Sequence, residues 1–266
     1  MKKITLIGGD NRLKILKENL KEKGYFVDTI GLYDNDNGDI STSNFIILPV
    51  PTTKDGINVY TPLTNKLIPL ESISNAVIDT QLILCCNFCF ENKKCVDYGA
   101  LDSYALLNSV PTAEGAIKIA IENTPFTLWK SNVLVVGYGK VGKILADRLK
   151  SLGCDVTVSA RKPADQALIE ALGFKYIDTR SLNLKPLCYD IIFNTVDVNV
   201  INNDSLKILK TKLLVDLSTF GGFSLETANK YGIKAIKAPG LPSLTAPQTA
   251  AEILTQTVTH IIDSYN

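Results

Sequence analysis

Short apolar runs alternate with amphipathic stretches along the whole chain. Ile4–Ile7 is the first run and stops at Gly8-Gly9. From Arg12 to Lys23, Leu13, Leu16 and Leu20 recur at helical spacing, and Gly24 closes the segment. Tyr25–Ile30 predicts a second strand, residues 35–43 are polar and turn-rich, and Phe45–Leu48 predicts a third strand, stopped by Pro49 and Pro51. Val77–Leu84 predicts a fourth. The same grammar then repeats. A helix is expected from about Thr112 to Glu122, with Ala116, Ile117, Ala120 and Ile121 as its apolar face. Pro111 suits its first turn, where a missing N–H costs nothing. Strand Asn132–Val136, a glycine-rich turn, helix Val141–Leu152 and strand Asp155–Ser159 follow. Later strands are expected at Lys175–Ile177, Ile191–Asn194, Leu213–Leu217 and Lys234–Ala238. From Pro247 to Ile262 the apolar residues return to helical spacing.

Strands alternating with helices predict an α/β fold of two doubly wound parallel-sheet (Rossmann-like) domains with a cleft between them. The boundary is placed near residue 110. Residues 1–110 then form an N-terminal α/β domain for substrate or partner, and residues 111–246 a nucleotide-binding domain. Residues 247–266 form a C-terminal helix that packs on one domain or bridges both.

At 266 residues and 45% hydrophobic, the chain can build two cores. Its 28 basic and 27 acidic residues leave a net charge of +1, which predicts neither a nucleic-acid footprint nor a basic membrane surface. No run approaches the ~18 apolar residues of a membrane span. The run after Met1-Lys2-Lys3 is too short for a secretory signal, so the expected location is the cytoplasm. Cys85, Cys86, Cys89 and Cys95 cluster, and Cys86-x-x-Cys89 has a spacing used by zinc sites and redox pairs. Cys85 and Cys86 end an apolar run, no second such pair exists, and the single histidine, His260, is remote. Reduced structural thiols and no metal are therefore expected, with Cys154 and Cys188 as small core residues.

The strongest chemical signal follows Val133–Val136. There the chain reads Gly137-Tyr138-Gly139-Lys140-Val141-Gly142 and enters a helix. A tight turn, close backbone approach to a pyrophosphate, and close helix–strand packing each require one of these glycines. The new helix offers its N–H groups and dipole to phosphate. A plain βα turn that binds nothing is the alternative. An acidic residue on the next strand normally holds the ribose hydroxyl of NAD, but here Ser159, Arg161 and Lys162 occupy that strand end. They suit the 2′-phosphate of NADP better than NAD, unless the two cations are merely solvated. At other strand ends, Asn194-Thr195, Ser218–Gly222 and Pro239-Gly240 could offer donors to the nicotinamide and substrate, or be ordinary turns.

The first domain offers two loops, Gly8–Arg12 and Pro49–Gly56. Arg12 and Lys54 could grip carboxylates, Asp10 and Asp55 could orient them or move protons, and Thr53 and Thr112 are further substrate candidates. A capping aspartate beside a surface cation is the competing reading. With His260 read as structural, the candidate proton carriers are Glu114, Lys54, Asp55, Asp10 or water. Glu114 falls in the first turn of its predicted helix, where it could instead serve only the helix dipole.

Taken in order, these stretches resemble the A subunit of dipicolinate synthase from spore-forming bacteria. The resemblance rests on Gly8-Gly9-Asp10-x-Arg12, Leu48-Pro49-Val50-Pro51 with Thr53–Gly56, Asn108–Ala116, the Gly137 turn, Ala160-Arg161-Lys162 and Ala238–Pro242. It implies oxidation of a cyclic di- or tetrahydrodipicolinate from lysine biosynthesis, with NADP as hydride acceptor. It also implies partnership with a flavoprotein-like B subunit, an oligomer, and work in the mother-cell cytoplasm during sporulation. Two other readings stay open: another NAD(P)-dependent dehydrogenase of the hydroxyacid or alanine dehydrogenase type, and a non-catalytic NADP-binding sensor. The Cys85–Cys95 segment has no assignment in the family's pattern.

Overall fold

The computed structural model describes residues 2–219 and 221–265. Phe220, in the Ser218–Gly222 loop, lies outside the described residues. The chain divides into two compact units, Met1–Asn108 with Thr245–Asn266, and Ser109–Leu244.

The first unit runs β1 (Lys3–Ile7), α1 (Asn11–Glu22), β2 (Phe26–Ile30), β3 (Phe45–Ile47), α2 (Leu70–Ala76), β4 (Leu82–Cys85) and β5 (Cys95–Asp97). A single 3-10 turn, Tyr98–Ala100, leads into α3 (Asp102–Asn123). The second unit continues with β6 (Asn132–Val136), α4 (Lys140–Ser151), β7 (Asp155–Ala160), α5 (Pro163–Ala171), β8 (Lys175–Asp178), β9 (Ile191–Asn194) and α6 (Asn203–Ile208). Then come β10 (Leu213–Asp216), α7 (Leu225–Lys230), β11 (Ala235–Lys237) and α8 (Leu241–Thr245), and α9 (Pro247–Ser264) returns to the first unit.

Both sheets are parallel. The first has the order β2-β1-β3-β4-β5 and the second β11-β10-β9-β6-β7-β8. Counted from β6, the second order is that of a dinucleotide-binding doubly wound sheet, and the first is that of flavodoxin-like sheets. Parallel strands covered on both faces read as continuous apolar runs, which explains Val133–Val136 and Phe45–Ile47. In the first unit one face packs against Leu13, Leu16 and Leu20 of α1 together with Leu254 and Val258 of α9. The other face packs against Leu70 and Ile73 of α2. Asn19 Nδ2 donates to Thr255 Oγ1 at 3.0 Å, tying α9 to α1. In the second unit Ala113, Ala116 and Ala120 of α3 share one face with Leu145 and Leu149 of α4, while Leu206 and Ala228 cover the other. Each fully buried leucine contributes roughly 1.5–3 kcal/mol.

Four expectations need correction. α3 begins at Asp102, not Thr112, so Pro111 lies inside the helix. Proline removes one i→i−4 bond there, but Tyr104 and Ala113 are anchored in cores on either side of it, and that packing outweighs the local break. Val77 caps α2 and the strand starts only at Leu82. Cys89 and Cys95 form a disulfide, their Cα atoms 6.2 Å apart, rather than remaining reduced. Cys188 is an exposed free thiol, not a core residue, whereas Cys154 is buried and its thiol donates to the Leu128 carbonyl at 3.1 Å.

Candidate functional site

The carboxyl ends of four strands in the second unit lie in one row. The register pairs Val136 with Ser159 and with Asn194, and Asn194 with Asp216. Gly137 leaves β6 at φ +99°, a left-handed conformation that glycine adopts without strain. A Cβ there would meet Val196 Cγ1 at 2.6 Å and Thr195 Oγ1 at 2.7 Å. A Cβ at Gly142 would lie 2.2 Å from the Gly137 carbonyl oxygen, so α4 packs against the turn as only glycine allows. Gly139 differs: a Cβ there meets nothing within 4 Å, and the residue is exposed. Its bareness faces open space at the N-terminus of α4. The turn therefore fits the pyrophosphate of a dinucleotide, with the N–H groups at the start of the helix and the dipole supplying the attraction.

Ser159 is fully buried, and its hydroxyl accepts from Gly137 N at 3.2 Å and lies 3.1 Å from Thr179 Oγ1. That removes it from direct phosphate contact and makes it the brace of the glycine turn. Arg161 and Lys162 are exposed immediately beyond β7, with Lys162 capping α5. Tyr138 is buried in the second unit's core, with Lys143 Nζ 5.1 Å from its ring centre. Lys140 and Val141 open α4.

Asn194 is also fully buried. Its Nδ2 donates to Asp216 Oδ1 at 2.8 Å and to the Val196 carbonyl at 2.9 Å. Ser218 Oγ donates to Asp216 Oδ1 at 2.6 Å and accepts from Gly221 N at 3.0 Å. The sequence left both as donors to a ligand or as ordinary turn residues; here their side chains bond within the loops, through Asp216, a residue that sequence reasoning passed over. Asp216 also accepts from Gly222 N at 3.0 Å and is 1% exposed. Its signal was a carboxylate ending an apolar strand, Leu213-Leu214-Val215-Asp216. Thr195 Oγ1 donates to the Val136 carbonyl at 2.9 Å. Pro239 and Gly240 are exposed at the start of α8.

The first unit gathers a second set of groups at the carboxyl ends of its strands. Asp10 caps α1, accepting from Arg12 N at 3.0 Å, and pairs with the Arg12 side chain: Nε to Oδ1 at 2.9 Å and Nη2 to Oδ2 at 2.7 Å. Nη2 also donates to the Val50 carbonyl at 2.6 Å. The Arg12 side chain is only 6% exposed. Burial opposes its charge, but hydrogen bonding and attraction from Asp10 outweigh that and hold its pKa above the usual value. The Tyr98 hydroxyl donates to the Leu48 carbonyl at 2.8 Å, and Tyr104 packs edge-on against Tyr98 with ring centres 5.4 Å apart. Neither tyrosine was singled out from sequence, because two aromatics within an apolar pattern read as core.

Asp55 is engaged within its own loop. It accepts from Asn58 N at 2.7 Å, Asn58 Nδ2 at 2.9 Å, Ile57 N at 2.8 Å and Thr53 Oγ1 at 3.0 Å. These bonds, those from Asn58 first, hold its pKa far below the usual carboxylate range, so it ties the loop as a fixed anion. Thr53 is a member of the same tie, and Lys54 is exposed with Nζ 3.9 Å from the Tyr60 ring centre. A concavity of about 370 Å³ bordered by Lys54, Tyr60 and Thr61 adjoins this loop, and Gly9 N donates to the Tyr60 carbonyl at 2.8 Å. A larger one of about 560 Å³, lined by Asn132, Asp190 and Lys212, sits at the amino ends of the second sheet, away from the glycine turn. Glu114 and Thr112 belong to the second unit. Glu114 is exposed in the interior of α3 and pairs with Arg148 Nη2 at 3.4 Å, far from any first turn. Among the described residues no group of three His, Cys, Asp or Glu side chains could hold a metal, and no helix is long and apolar enough to cross a membrane.

Residues 3–106 match the N-terminal domain of the A subunit of dipicolinate synthase. The chain is 33% identical to the A subunit of dipicolinate synthase from Bacillus subtilis over 98% of its own length and 95% of the relative's. It superposes on the crystal structure of the A subunit of dipicolinate synthase from Bacillus halodurans with a TM-score of 0.87 and 29% identity, covering 98% of this chain and 97% of that one. The apo-structure of D-lactate dehydrogenase from Escherichia coli shares the fold at a TM-score of 0.62 and 15% identity, covering 99% and 96%. With that agreement along nearly the full length, the chain belongs to the family of dipicolinate synthase A subunits.

Proposed function

We propose that the chain is the NADP-dependent oxidoreductase component that forms dipicolinate from a dihydro- or tetrahydrodipicolinate intermediate of lysine biosynthesis during sporulation. It acts with a flavoprotein-like B subunit in the mother-cell cytoplasm. The carrying observation is the open Gly139 at the N-terminus of α4, beside a β7 end that bears Arg161 and Lys162 and no carboxylate. When bound, the nicotinamide supplies a hydride acceptor. The protein's task is then to position a ring C–H and keep it oriented, since aromatisation itself favours the oxidation.

The α4 N-terminus holds the pyrophosphate, and the Ser159 brace and Thr195 keep the turn in that shape. Arg161 grips the 2′-phosphate with its guanidinium fork, and Lys162 adds charge. Arg12, held rigid by Asp10 and Val50, faces the ring dicarboxylate. Titration of NADPH and NADH into wild type and Arg161→Ala tests the cofactor assignment. The variant should lose about 10- to 100-fold in NADPH affinity, the worth of one charge-assisted hydrogen bond, and leave NADH unchanged. Unchanged NADPH affinity would contradict it. A second reading, a non-catalytic NADP-binding sensor, is favoured by one observation: Asp55 and Glu114 are engaged elsewhere. Turnover of a dihydrodipicolinate precursor with NADP and the B subunit separates the two.

A further inference from the structure

A buried phenol normally finds a hydrogen-bond partner. Tyr98 obeys this, donating to the Leu48 carbonyl at 2.8 Å. Tyr104 is held differently: the residue is 4% exposed and no bond from its hydroxyl is seen among the described residues, but that oxygen is not one of the fully buried unpartnered atoms, so it keeps a small opening to solvent. Its ring is fixed edge-on by Tyr98 with centres 5.4 Å apart. Leu48, which receives Tyr98, lies two residues before Val50, which receives Arg12 Nη2 at 2.6 Å. Tyr104 and Arg12 therefore stand at the same end of the β1–β3 part of the sheet. Arg12 likewise has an edge to spare: Nε and Nη2 make its hydrogen bonds, and Nη1, outside them, is not one of the fully buried unpartnered atoms among the described residues. Two largely buried side chains whose spare O–H and N–H groups still open to solvent are what an incoming carboxylate needs.

We propose that the Tyr104 hydroxyl and the free edge of the Arg12 guanidinium together receive one carboxylate of a ring dicarboxylate. This rests on the substrate class of the proposed function and adds to it a specificity-determining residue. Asp10 already neutralises Arg12. The site therefore attracts its anion through directed donors rather than net charge, and it selects by geometry. Burial first, with Cys86 nearby, pushes the Tyr104 pKa up, so the phenol stays a donor and does not shuttle protons. Its role is to position the ring.

The test compares wild type and Tyr104→Phe by calorimetric titration with pyridine-2,6-dicarboxylate and, separately, NADPH, alongside thermal melting. The variant should lose about tenfold or more in affinity for the dicarboxylate, the worth of one hydrogen bond to a charged group. Its NADPH affinity should not change, and its melting temperature should stay level or rise, because no internal hydrogen bond is lost. Equal dicarboxylate affinity would overturn the proposal. A parallel fall in melting temperature would also overturn it, by making the hydroxyl structural. Wild type that binds NADPH but no dicarboxylate removes this inference and leaves the cofactor assignment standing; wild type that binds neither removes both.

Discussion

The Thr195 hydroxyl donates to the carbonyl of Val136 at 2.9 Å, and so locks the end of β9 against the last residue before the glycine turn. The same oxygen would lie 2.7 Å from a Cβ on Gly137 and 3.3 Å from one on Gly142. The turn is thus packed from behind and bare in front. Gly142→Ala would place its methyl 2.2 Å from the Gly137 carbonyl. It should cost roughly 1–3 kcal/mol by overpacking and weaken nucleotide binding at the same time. Urea denaturation and a nucleotide titration on one sample check this; a fully stable variant would contradict the packing.

Asp10→Ala leaves the Arg12 guanidinium buried without its counter-charge. Breaking one side of such a pair costs roughly 3–5 kcal/mol. The variant should unfold at distinctly lower urea concentration than wild type, and more than Asp55→Ala, whose carboxylate serves an exposed loop. A shift no larger than that of Asp55→Ala would contradict the pairing.

Acid sensitivity should centre partly on Asp36. Its side chain is 6% exposed, and it accepts from Gly31 N and Leu32 N at 2.8 Å, Tyr33 N at 3.1 Å and Lys66 Nζ at 3.2 Å. Burial acts to raise its pKa, but these bonds prevail and hold it below the usual value. A folded pKa below the unfolded one means that the stabilisation is complete above about pH 4 and is lost as pH falls through the folded pKa. Asp36→Asn should therefore destabilise at pH 7 by roughly 1–3 kcal/mol and show a smaller loss between neutral pH and pH 2. Stability measured across that range gives the answer; parallel curves would contradict it.

The thiols should sort by exposure. Burial, with Asp97 nearby, pushes both Cys85 and Cys86 up to about 12, and burial raises Cys154 to about 11. Cys188 is exposed. Iodoacetamide on the native, unreduced protein should label Cys188 first and leave Cys89 and Cys95 unmodified, as peptide mass mapping would show. Early labelling of Cys89 or Cys95 would contradict the disulfide.

The inner strands of the second sheet were legible because they are buried on both faces. Asn132–Val136 and Ile191–Asn194 are continuous apolar runs between turn signals, and their bounds agree with the sequence reading. β5 was not legible: Cys95–Asp97 is a short edge strand whose three residues are only half-buried. α5 begins at Pro163 directly after two cations and shows a single buried residue, Ile169, too little periodicity to register. At the site, glycines announced the turn because backbone shape demands them. Ser159, Asn194 and Ser218 carried the right atoms, but burial directs them inward, and only side-chain direction shows that. Asp216 and Tyr104 were hidden by their apolar neighbours.

The most direct measurement is calorimetric titration of NADPH into wild type and Gly139→Ala. Gly139 has φ −75° and ψ −166°, which alanine adopts freely, and space for a methyl. The variant should fold with an unchanged melting temperature and yet bind NADPH far more weakly, because the methyl occupies the place of phosphate oxygens. Wild type that takes up no NADPH, or a folded variant that binds it as tightly as wild type, would contradict the account.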